Sequence, residues 1–122
     1  MPPFGNGVSR SADPEASATS RDGTRLFYRR RGLGRPLVLL HATLSRSAHL
    51  TPLIERLAGR FTVLAPDRRS HGVEDPGRQI GAVDVGVQVD DLTAVLDAAG
   101  VAKALVAGHS YGACVALELA AR

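Results

Sequence analysis

Residues 104–122 read ALVAGHSYGACVALELAAR, and the reading of this stretch decides the fold. Ala104, Leu105, Val106 and Ala107 form a short apolar run that predicts a strand, and the small and apolar residues from Ala113 to Arg122 predict a helix. Between them Gly108, His109, Ser110, Tyr111 and Gly112 form a GxSxG pattern, which becomes specific when it joins a strand to a helix. In such a bend the serine is lifted clear of the sheet, while the glycines let the backbone turn without Cβ clashes and let strand and helix approach closely. Ser110 in an ordinary turn is the blander alternative, and the flanking periodicities weigh against it. The first N–H groups of the following helix can receive negative charge that develops during attack on a carbonyl, which makes the Tyr111 N–H the first candidate oxyanion donor.

Working back from the bend, Val85, Val89, Leu92 and Leu96 fall on one helical face, with Asp84, Asp90, Asp91 and Asp97 outside it, and Gly100 ends the segment. Asp90 and Asp91 are read as a solvated face. Residues 67 to about 84 hold Gly72, Pro76, Gly77 and Gly81 among scattered charges and predict a loop. Phe61 to Ala65 predict a strand stopped by Pro66, and Leu50, Leu53, Ile54, Leu57 and Ala58 predict a helix with Pro52 near its start. Pro36 to Leu40 is a continuous apolar run, as expected of a parallel strand covered on both faces. Asp22-Gly23, between Ser17–Arg21 and Arg25–Arg30, predicts an antiparallel hairpin. Residues 1 to 16, rich in Pro, Gly, Ser and Ala, are expected to be a flexible tail, leaving residues 17–122 as one domain. The order of elements predicts an α/β fold: an open, mostly parallel sheet with helices on both faces and an N-terminal antiparallel hairpin.

The 122 residues are 44% apolar and 22% charged, ordinary for a globular chain and too apolar for a disordered one. The formal charge of +3 is spread along the chain. Arg29, Arg30 and Arg31 beside Phe27 and Tyr28 make only a short cluster, read as solvated surface, so no nucleic-acid partner is expected. Residues 1–20 hold no apolar core of signal-peptide length and no later apolar run reaches membrane-spanning length, so neither export nor membrane insertion is expected; the single Cys114 has no internal disulfide partner and is read as a buried small residue. A cytoplasmic location follows as the expectation. The histidines and Cys114 lack metal-ligand spacing, and no phosphate-binding loop occurs. Gly32 and Gly34 precede a strand instead of linking a strand to a helix and are read as a plain turn, so neither metal nor cofactor is expected.

From Ser17 to Arg122 the chain resembles the α/β-hydrolase family, on three landmarks in family order: LVLLHATLSRS, APDRRSHG and GHSYGA. They look like the strand and oxyanion loop with its His-Gly pair, the next strand with its Asp-x-Arg-Gly-His-Gly loop, and the nucleophile elbow. The resemblance implies that Ser110 is the nucleophile and that the Thr43 N–H, after His41 and Ala42, is the second oxyanion donor beside Tyr111. Two positions depart from the family pattern: Ala42 and Ser70 each replace a glycine. His41 and His71 match family positions that shape loops, His109 adjoins Ser110 and should point elsewhere, and His49 is read as a surface residue near a helix start.

Triad partners in this fold follow the serine in the order acid, then histidine. Residues 111–122 contain one acid, Glu118, about two helical turns on, and no histidine. The chain therefore reads as the N-terminal half of a serine hydrolase acting on an ester or related acyl substrate, incomplete as given and inactive in turnover by itself. Cofactor-free haloperoxidases and acyltransferases share these motifs. A non-catalytic small-molecule binding module is the alternative of a different class. The elbow strand is expected to present an unpaired edge, through which copies of the chain could associate.

Overall fold

In the computed structural model, residues 16–43, 45–69 and 84–122 are described. The hairpin forms from β1, Ala16–Thr19, and β2, Arg25–Arg31, paired antiparallel with Ala18 opposite Leu26. Its turn is five residues long: Ser20 N donates to Thr24 O at 2.8 Å, Gly23 N donates to Ser20 O at 2.9 Å, and Asp22 Oδ1 accepts from Thr24 N at 3.0 Å. Asp22 and Gly23 thus shape the turn together, the aspartate by bonding the backbone two residues on. Apart from Ala16, which opens β1, the tail expected over residues 1–16 lies outside the described residues, as does most of the loop expected between 67 and 84.

The apolar run becomes β3, Arg35–Leu40, followed by a single-turn 3₁₀ segment at Ser47–Leu50, helix α1 at Thr51–Leu57, and β4 at Phe61–Asp67. Helix α2, Val85–Ala99, leads to β5, Leu105–Gly108, and helix α3, Tyr111–Ala121. The strands form one mixed sheet in the order β1-β2-β4-β3-β5. β3, β4 and β5 are mutually parallel, and β2 joins β4 antiparallel, so the hairpin extends a parallel core.

Alternation along the central strands sorts the core into two layers. Val38, Leu40 and Leu64 face α2 and α3, packing with Val89, Leu92, Val95 and Val115. Leu39, Val63 and Ala65 face the other way, against Ile54 of α1. Helices therefore cover both faces, and the carboxyl ends of β3, β4 and β5 come together at one end of the sheet.

Several local expectations are corrected. β4 continues through Pro66 to Asp67, because register with β3 ends at Leu64 and the proline lies beyond that ladder, beside Tyr28 of β2. Leu53 is exposed, since α1 has only two turns and buries Ile54 alone. Asp91 is buried on the inward face of α2 between Gln88 and Val95, where it is paired with arginine. Arg29 is buried too, its Nε donating to Ser47 Oγ at 3.3 Å. Cys114 is exposed, on a part of α3 that no described element covers.

Candidate active site

The bend between β5 and α3 is built from backbone that leaves no room for side chains. A Cβ on Gly108 would lie 2.3 Å from Gly112 O and 2.4 Å from Gly112 C. A Cβ on Gly112 would lie 2.6 Å from Leu40 O and 2.8 Å from His41 O. Gly108 therefore lets the strand fold back on the helix start, and Gly112 lets the helix start press on the end of β3. Ser110, between them, has φ 56° and ψ −120°, the one non-glycine residue with positive φ among those described. Such a conformation costs about 1–3 kcal/mol and persists only where the surroundings fix it. Here Gly112 N donates to His109 O at 2.9 Å, Ala113 N donates to Ser110 O at 2.9 Å, and His109 N donates to Leu40 O at 3.0 Å. Ser110 is exposed at the tip, and Tyr111 is the first residue of α3.

Across from the bend, β3 runs into His41, Ala42 and Thr43. His41 is fully buried. The Arg68 backbone N–H donates to His41 Nε2 at 2.9 Å, so that nitrogen carries the lone pair; the proton sits on Nδ1, which donates to Ala42 O at 2.8 Å. The imidazole is thereby committed to shaping the loop that Thr43 occupies. Thr43 is exposed, and Ala42 O accepts from Ser45 N at 3.2 Å, closing a turn around it. His109 is exposed and follows β5 directly, while His49 Nδ1 lies 2.9 Å from Ser45 Oγ. Glu118 is ion-paired with Arg122 at 3.6 Å on the same helix. Ser70 and His71 lie outside the described residues.

Two adjacent arginines at the end of β4 were not singled out from the sequence. Arg69 reaches Asp91 at 2.7 Å and Asp22 at 2.8 Å, and hydrogen bonds first to Asp91 and then to Asp22 raise its guanidinium above the ordinary range. Ser20 Oγ donates to Asp91 as well. Arg68 is buried, its Nε donating to His41 O at 3.1 Å and its guanidinium carbon 5.0 Å from the centre of the Tyr111 ring. Burial pushes its guanidinium down from the ordinary value, against the favourable charge interaction with Tyr111. The helical spacing of Asp91 relative to Gln88 and Val95 was the signal that could have found its inward position. Nothing in the chain pattern marks Arg68.

A family model for the alpha/beta hydrolase family matches residues 37–122, from β3 to the end of α3. The chain belongs to the alpha/beta hydrolase family. An alpha/beta hydrolase from Sphaerobacter thermophilus DSM 20745 is 41% identical with a TM-score of 0.72, covering 87% of this chain and 40% of that one. An esterase from Rhodococcus sp. ECU1013 is 36% identical with a TM-score of 0.76, over the same shares of the two chains. The 2-(acetamidomethylene)succinate hydrolase of Mesorhizobium japonicum is 32% identical over 97 residues, 80% of this chain and 34% of that protein. This alpha/beta hydrolase chain thus spans about a third of the length of the curated relatives and two-fifths of the solved structures it matches. Among the described residues no group of three His, Cys, Asp or Glu is placed to hold a metal ion, and no helix is long and apolar enough to cross a membrane.

Proposed function

We propose that the chain is the nucleophile-bearing portion of a serine hydrolase acting on an ester or related acyl substrate. Ser110 Oγ attacks the acyl carbon, and the N–H groups of Thr43 and Tyr111 receive the oxyanion. The observation that carries this reading is the positive φ of Ser110. A strained, exposed serine locked between two close-packed glycines has no evident structural purpose, whereas it aims a hydroxyl away from the sheet at the head of a helix. The hydrolase and esterase names of the relatives support the reaction class.

The order acid, then histidine, places neither remaining triad member among residues 111–122, so the chain by itself is expected to acylate once and not to turn over. A fluorophosphonate probe tests this. Ser110 Oγ attacks phosphorus, fluoride leaves and the hydroxyl proton passes to solvent, giving one label per chain. Labelling of the native chain together with none of Ser110→Ala supports the nucleophile; equal labelling of both overturns it.

A non-catalytic binding module is the second reading, favoured by Ala42 in the loop that precedes the Thr43 N–H. It predicts no labelling of a folded native chain. A cytoplasmic location is part of the first proposal, supported by a single cysteine, Cys114, that has no partner for an internal disulfide.

A further inference from the structure

Arg68 and Arg69 are neighbours with opposite circumstances. Arg69 is paired by two carboxylates, as a structural arginine should be. Arg68 is only 5% exposed, yet no carboxylate pairs it among the described residues, and its buried Nη2 has no hydrogen-bond partner there. Burying an unpaired guanidinium opposes folding, and an apolar residue at this position would avoid the cost. The contacts Arg68 does make are concentrated on the candidate site. Its backbone N–H fixes the His41 ring, its Nε holds His41 O, and its guanidinium carbon lies 5.0 Å from the centre of the Tyr111 ring. His41 O is also one of the two carbonyls against which Gly112 packs.

We infer that Arg68 is a positioning residue for the oxyanion site, holding the segment that carries the Thr43 N–H and the helix start that carries the Tyr111 N–H at a fixed separation. This rests on the proposed function above, because the two N–H groups matter to chemistry only if Ser110 attacks. Arg68 touches neither the reacting atoms nor Ser110. Its part is geometric: one planar cation reaches the end of β3 with a hydrogen bond from Nε and the start of α3 with its charge over the Tyr111 ring, a span that lysine's single ammonium does not reproduce.

The test uses the full chain and four variants, Arg68→Met, Arg68→Lys, Arg68→Ala and Ser110→Ala. Fluorophosphonate labelling rates are measured on folded protein, and the backbone amide shifts of Thr43 and Tyr111 are followed by NMR. Arg68→Met and Arg68→Lys are both expected to label about tenfold more slowly, less than the hundredfold or more that follows loss of an oxyanion donor outright. Both should still reach one label per chain, and the Thr43 and Tyr111 amides should shift together. Millimolar ethylguanidinium should restore part of the rate in Arg68→Ala while millimolar ethylurea, of similar size but uncharged, should not; equal rescue by both would reduce Arg68 to a space-filling role. Rates within twofold of the native chain, with unmoved amides, overturn the inference. If Arg68→Met does not fold, Arg68→Lys decides by the same readings. If the native chain takes no label, as Ser110→Ala takes none, the nucleophile reading fails by itself; the amide shifts then judge the clamp, and unmoved amides reject it.

Discussion

Replacing Gly112 by alanine should injure the site and the fold together, by an amount the backbone geometry sets. The added Cβ would sit 2.6 Å from Leu40 O, whereas ordinary contact begins at 3.4 Å, so strand and helix must part by about 0.8 Å. The obstacle is main chain at the end of the central strand β3, so no side chain can swing aside. Overpacking of this kind costs about 1–3 kcal/mol, and at about 4 °C per kcal/mol for a domain of this size the midpoint of unfolding should fall by roughly 4–12 °C. The separation falls between Tyr111 and the His41–Thr43 segment, where a misplacement of about 1 Å can cost on the order of a hundredfold in rate. Fluorophosphonate labelling of folded Gly112→Ala should accordingly slow by at least about tenfold. Gly59→Ala is the internal control: its Cβ meets nothing within 4 Å, and it should leave both the midpoint and the labelling rate unchanged. A Gly112→Ala chain that melts and labels like Gly59→Ala would refute the close packing of elbow on strand and, with it, the reason given for the glycine.

Other outcomes are expected from the same geometry. Ser110→Gly relieves the positive φ and should raise stability by about 1 kcal/mol while abolishing labelling; calorimetry that finds it less stable than the native chain would count against strain at the elbow. Asp22 is held below the usual carboxylate range, first by its hydrogen bonds from Arg69. Because its folded value is depressed, its contribution is complete above the ordinary value of 3.8 and is lost as pH falls through the folded value. The melting-point advantage of the native chain over Asp22→Asn should hold from pH 7 to 5 and narrow below about pH 4; an advantage that grows on acidification would be incompatible with the pairing. Among the described residues β5 pairs only with β3, and Leu105 of β5 and Leu117 of α3 are exposed. Concentration-dependent self-association is therefore expected in sedimentation, and Leu117→Lys should weaken it.

The sheet was legible because its signals are local. Continuous apolar runs at Pro36–Leu40 and Phe61–Ala65, the three-and-four spacing of Val85, Val89, Leu92 and Leu96, and the glycine-flanked serine each follow from a few neighbouring residues. Strand ends and charged partners were less legible because they depend on what lies across space. Pro66 reads as a stop, yet whether proline ends a strand depends on which side of the ladder needs its missing N–H, and only the register with β3 answers that. Asp91 reads as solvated because it is charged; its burial becomes affordable only when Arg69, 22 residues away, supplies the opposite charge. The exposure of Cys114 and Leu117 reflects a helix face for which the described residues offer no cover. For Ser110 the sequence located the bend and its exposure. How firmly the bend is held could not be read locally, since its restraints come from Leu40 and His41, about 70 positions earlier.

The strained elbow also explains why so much polar structure gathers at the carboxyl ends of β3 and β4. A residue held at positive φ will relax unless neighbouring segments fix both sides of the bend. Gly112 and the His109 N–H tie one side to β3, but the end of β3 is itself a loop start that needs holding. The His41 ring and Arg68 supply that restraint from β4. Arg68 leads straight into Arg69, whose bonds to Asp91 and Asp22 fasten the end of β4 to helix α2 and to the hairpin turn. Removing Asp91 should therefore act at a distance. Breaking a largely buried pair costs about 3–5 kcal/mol, and the released end of β4 would carry Arg68 with it. Asp91→Ala, although it touches nothing at Ser110, should lower the labelling rate of the fraction that stays folded as well as the melting point. A normal rate in that fraction would mean that the bend is held by β3 alone.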